Sequence, residues 1–144
     1  MKRQSGKKDR YVLDSSAFLA LFEDEDGAET VQDMLEKAEK EDVVVFGSFV
    51  CYTEVFYITW QEAGAAEAQS RLDLMSRLSV TRVDSSQELG LIAGKLKANY
   101  RISFADAWVA ATAIMLGAIL IHKDPEFEEL EAELEMLRLP YKKN

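Results

Sequence analysis

Three short runs constrain the fold more than anything else in this chain: YVL at 11–13, VVVF at 43–46 and AILI at 118–121. A strand with one wet face alternates apolar and polar residues. These runs do not alternate, so each predicts a strand covered on both faces. Val80 to Val83 predicts a further strand, and Met136 to Leu139 a last one ended by Pro140. Between them lie segments of helical spacing: Ser15–Phe22, Ala28–Lys40, Ser48 to about Glu62, Ala65–Leu78, Asp84 to about Asn99, Ser103–Leu116, and a short acidic helix from Pro125 to Glu133. In the second, Val31, Met34, Leu35 and Ala38 share one face. Gly47, Gly64 and Gly117 read as breaks. Strands alternating with helices predict an α/β fold with a mostly parallel central sheet between helical layers.

The chain has 144 residues, the size of a single domain with an adequate core. No repeat or linker divides it, so residues 11–144 read as one domain behind a basic arm, residues 1–10. That arm, MKRQSGKKDR, holds five cations and one anion. The whole chain carries −9, so the other 134 residues carry −13. A body that acidic is a poor non-specific binder of nucleic acid, unless its acids surround a cation and basic residues line a groove. A lone Cys51, and no leader or membrane-spanning stretch, point to a reduced, cytoplasmic setting with no membrane partner.

Ligands of such sheets bind beyond the carboxyl ends of the strands. Asp14 lies just past the first strand and Asp124 just past the fourth. Glu54 and Asp106 sit on helices, among Val50, Cys51, Tyr57 and Ile58 in one case and Ile102, Val109 and Ala110 in the other. Three of the four have a plain alternative. Asp14 before Ser15 can cap a helix, Ser103 and Asp106 have capping-box spacing, and Asp124 before Pro125 is a natural cap. Glu54 has none, because it lies mid-helix with no cation one turn away. A buried carboxylate there needs a positive partner, from a site or an ion pair across the fold. Acids gathered in this way suit a hard divalent cation, and such an ion supports in-line displacement at phosphorus. Asp84 reads as a helix cap, Glu23 to Asp26 as a solvated turn, and EFEELEAELE as a solvated face. Phe104, Trp60 and Trp108 read as core. His122 reads either as a structural histidine or as a polar neighbour of the acids.

Together YVLDSSAFLALF, TEVFY, SFADAWVAATA and HKDPEF resemble a PIN domain, most of all the small VapC-type toxins of toxin–antitoxin pairs. The likeness spans about Tyr11 to Leu139. It implies a three-layer α/β/α sandwich and an endoribonuclease dependent on Mg²⁺ or Mn²⁺. Its acid quartet would be Asp14, Glu54, Asp106 and Asp124, acting as metal ligands and catalytic groups. Ser16 would orient a carboxylate or a water. The first and fourth strands would be central, setting Asp14 beside Asp124, and the third would be an edge. The likeness also implies an RNA substrate, a homodimer and a small antitoxin partner. His122 departs from the Thr or Ser usual in the family. Lys95, Lys97, Arg101 and Lys123 are candidate phosphate contacts. The expected products carry 5′-phosphate and 3′-hydroxyl ends. The alternatives are a catalytically idle scaffold of the same fold, binding RNA or protein, and a housekeeping RNA-processing nuclease. A haloacid-dehalogenase-type phosphatase would need Asp where Ser16 stands. A receiver domain would need a phospho-acceptor Asp that VVVFGSF does not supply.

Overall fold

The computed structural model describes residues 8–143. Five strands form one sheet: β1 (Asp9–Leu13), β2 (Val43–Ser48), β3 (Thr81–Val83), β4 (Ile119–His122) and β5 (Met136–Arg138). The helices are α1 (Ser15–Phe22), α2 (Ala28–Glu39), α3 (Phe49–Ala63), α4 (Ala65–Arg77), α5 (Gln87–Asn99) and α6 (Phe104–Leu116), and a 3-10 helix spans Pro125–Leu130. Most of the expected arm lies outside the described residues. Asp9 and Arg10 belong to β1, so that strand starts two residues before the apolar run.

The strand order is β3-β2-β1-β4-β5, and the four pairings are parallel. As expected, β1 and β4 lie at the centre with β3 at an edge. The chain moves toward one edge from β1 to β3, then crosses back to β4. Right-handed crossovers therefore set α1 to α4 on one face and α5 and α6 on the other. The reversal point lies between β1 and β4. Leu13 is paired with both Gly47 and Ile121, so the carboxyl ends of β1, β2 and β4 finish level with one another. Val12 and Leu13 are both fully buried although they face opposite ways, which is why these strands read as unbroken apolar runs.

Several local readings are corrected. Gly47 continues β2. A Cβ there would stand 3.2 Å from Val80 Cγ1 and 3.3 Å from Phe18 Cζ, so the glycine serves close packing over the strand. The cap of α5 is Ser86, whose Oγ accepts from Leu89 N at 3.1 Å. Asp84 instead accepts from Arg82 Nε at 2.8 Å, because Ser85 and the extended Ser86 still separate it from the helix. Phe104 and Trp60 are exposed, at 69% and 51%, since both sit on outward helix faces; Trp108 is half-buried. Among the described residues no helix is long and apolar enough to cross a membrane.

Candidate active site

The loops leaving β1, β2 and β4 converge with the start of α6 on one group of acids. Asp14 follows β1 and caps α1. Its Oδ2 accepts from Ser16 N at 3.0 Å and from Ser16 Oγ at 2.5 Å. Ser16 Oγ also accepts from Lys123 N at 2.8 Å, which ties α1 to the segment after β4. The neighbouring hydroxyl, Ser15 Oγ, donates to Glu54 Oε1 at 2.6 Å across from α3. Successive serines in the first turn of α1 thus each hold one acid. Asp106 rides on α6, whose cap Ser103 accepts from Asp106 N through Oγ at 3.1 Å. Asp124 caps the 3-10 helix, its Oδ1 accepting from Glu126 N at 3.0 Å. The capping readings of Asp14 and Asp124 therefore hold while the same residues face the acid cluster.

The fifth acid escaped the sequence reading. Oxygens of Asp106, Asp124 and Glu126 lie within 4.8 Å of one another, so Glu126 is no part of a solvated face. Its Oε1 accepts the Ser103 amide. A capping box assigns that amide to the residue at the third helical position. Asp106 occupies that position one methylene shorter than Glu, and Glu126 takes the bond instead. The unfinished box in SFAD was the only sign of it in the sequence.

Burial makes this arrangement expensive for negative charge. Asp14 and Asp106 are 3% and 6% exposed. Asp14 Oδ1 and Asp106 Oδ2 are buried with no hydrogen-bond partner. Burial pushes the Asp14 carboxyl up to about 6; the bonds from Ser16 oppose this, and the charges of Glu54 and Asp124 add to it. Burial likewise drives Asp106 well above the carboxylate range, helped by contact with Glu126 and by the charges of Asp14 and Asp124. Among the described residues none of the five acids forms an ion pair with Lys or Arg. An oxygen-only donor set, two orphan oxygens and no internal counter-charge fit a hard divalent cation such as Mg²⁺ or Mn²⁺.

His122 is buried, with its ring centroid 5.1 Å from that of Phe127 and 6.3 Å from that of Tyr141. Burial lowers its pKa, so the neutral ring prevails, and Nδ1 accepts from Asp124 N at 3.2 Å. It packs as a structural residue and touches the acid site through the Asp124 backbone. Lys123 is corrected as a phosphate contact. Its side chain is 4% exposed, with Nζ 3.3 Å from Glu25 Oε1 and 2.9 Å from the Asp26 carbonyl oxygen. The other three cations are exposed but separated. Lys97 borders a groove with Phe104, Ala107 and Trp108, Arg101 lies just before α6, and Lys95 borders a different groove with Tyr100 and Glu133.

A family model described as PIN domain matches residues 11–133. No curated protein matches the sequence at a significant level. Several solved structures match the fold. VapBC2 from Rickettsia felis, bound to a DNA fragment from its promoter, aligns at TM-score 0.73 and 19% identity over 91% of this chain and 99% of that one. VapBC-1 from nontypeable Haemophilus influenzae aligns at 0.68 and 23%, over 90% and 97%. VapC20 from Mycobacterium tuberculosis, a toxin that cleaves the sarcin-ricin loop, aligns at 0.68 and 18%, over 86% and 95%. At these identities the likeness establishes a shared architecture.

Proposed function

The chain belongs to the PIN domain family, and on that premise we propose that it is a divalent-metal-dependent endoribonuclease, the toxin of a VapBC-type pair. One observation carries the reading. Two buried carboxylate oxygens, Asp14 Oδ1 and Asp106 Oδ2, lack any partner inside a cluster of acids that, among the described residues, pairs with no Lys or Arg. Catalytic sites hold such uncompensated charge where a ligand completes it.

Asp14, Asp106 and Asp124 would hold Mg²⁺ or Mn²⁺, with Glu54 completing the shell. Bound there, the ion supplies Lewis-acid polarisation of the scissile phosphate and a more acidic water. The chain does the rest. Ser16 fixes the Asp14 carboxylate through two bonds and keeps one of its oxygens free. Ser15 engages only Glu54 Oε1, which leaves Oε2 to align a water for attack in line with the leaving 3′ oxygen. Attack at phosphorus leaves 5′-phosphate and 3′-hydroxyl ends. Lys97 and Arg101, near the start of α6, are the cations best placed to meet the RNA backbone. The architecture shared with VapBC complexes supports a small antitoxin partner; a homodimer acting in the cytoplasm completes the proposal.

The test is cleavage of a panel of structured RNAs with Mg²⁺, with Mn²⁺ and with chelator, by wild type, Asp14→Asn and Asp106→Asn. Cleavage that needs the ion and vanishes in both variants is expected. Cyclic 2′,3′-phosphate products, or cutting in chelator, would sink the mechanism.

A further inference from the structure

We infer that Glu126 is a positioning residue: its carboxylate ties the start of α6 to the turn after β4 and so sets how far Asp106 stands from Asp124. The inference deepens the metal-site reading above and rests on it. Asp106 and Asp124 arrive on separate elements, and ionising both, as a metal site requires, sets like charges against each other. Something within the chain must hold them together beforehand.

Glu126 grips both sides. Its amide donates to Asp124 Oδ1 at 3.0 Å. Its Oε1 accepts the Ser103 amide, and Ser103 Oγ in turn accepts the Asp106 amide at 3.1 Å. An unbroken series of hydrogen bonds therefore runs from one aspartate through Glu126 to the other. Because Glu126 completes the cap of α6, the Asp106 side chain need not fold back on Ser103 N. Asp106 Oδ2 is left without a partner, buried in the cluster. A carboxylate occupied by a main-chain donor is better suited to bracing the site than to acting as a full ligand.

The measurement is Mn²⁺ titration calorimetry without RNA on wild type, Glu126→Ala and Glu126→Gln, with amide hydrogen exchange at Ser103. Outer-shell groups of this kind are worth about 10–100-fold in metal affinity. Glu126→Ala should weaken Mn²⁺ binding by about that factor and strip protection from the Ser103 amide. Glu126→Gln keeps an oxygen for that amide and should restore both to within a few fold. Unchanged Mn²⁺ affinity in Glu126→Ala would overturn the inference. So would a Gln variant that protects Ser103 yet binds as weakly as Ala, since Glu126 would then be a ligand. Wild type that binds no Mn²⁺ would overturn the metal-site reading itself, and with it any role for Glu126 in that site.

Discussion

Asn in place of Asp106 keeps the side chain's shape, is neutral without the proton uptake that burial forces on the carboxyl, and presents an amide that can donate to Glu126. Metal-free Asp106→Asn should therefore be more stable than wild type by about 1–3 kcal/mol while losing cleavage, as chelator-treated unfolding and the RNA assay would record. Asp14 adds a pH dependence. Its carboxyl is raised from 3.8 to about 6, so the folded state binds more protons than the unfolded chain between those values. Unfolding free energy then falls as pH rises through that window, by about 3 kcal/mol for this group alone. Asn caps a helix as well as Asp. Asp14→Asn without metal should thus gain on wild type between pH 4 and pH 7, and denaturant titrations at both values would measure the gain. Mn²⁺ should narrow the gap at pH 7 by neutralising Asp14 directly. At this scale the three aspartates were legible because each follows a strand or opens a helix, where caps and ligands occupy the same places. Glu54 was legible as an acid among apolar neighbours. Glu126 and Ser15 were not, because their partners lie 23 and 39 residues away and no local rule brings them together.

Elements were easier to read than single contacts. The strand runs and the helix periods name their own structures, and α1 spans the expected Ser15–Phe22. Gly47 misled because glycine signals a break only when nothing else demands a missing side chain, and here Val80 and Phe18 do. The α5 start misled because DSS offers three capping residues in a row, and only tertiary packing selects the last. Gly27 is a case where conformation and space agree. It stands before α2 at φ +100°, and a Cβ would lie 3.0 Å from Leu139 Cβ. Gly27→Ala should lower stability by about 1–3 kcal/mol, seen as a lower urea midpoint at unchanged slope.

At the scale of the molecule, the proposed ribonuclease activity requires a chain of net charge −9 to approach a polyanion. If Lys97 and Arg101 make phosphate contacts, Lys97→Glu with Arg101→Glu should weaken RNA binding and shallow its dependence on log salt by about two contacts' worth. An unchanged slope would remove them from the interface. Lys123→Glu should act differently, as a folding defect of about 3–5 kcal/mol, because it buries a carboxylate against half-buried Glu25 and the Asp26 carbonyl oxygen.

The central place of β1 also sets a schedule. Asp14 N donates to Ile121 O at 3.0 Å, so the first acid meets the last only after the intervening chain exists. At about 5–20 residues per second, synthesis of that interval takes on the order of 5–20 seconds. For much of it the growing polypeptide carries Asp14 and Glu54 without the Asp106 and Asp124 that complete the acid site. On the proposed ribonuclease reading, a ribosome making this protein, and the RNA around it, would face no cutting activity until the fourth strand has emerged and slotted in beside the first.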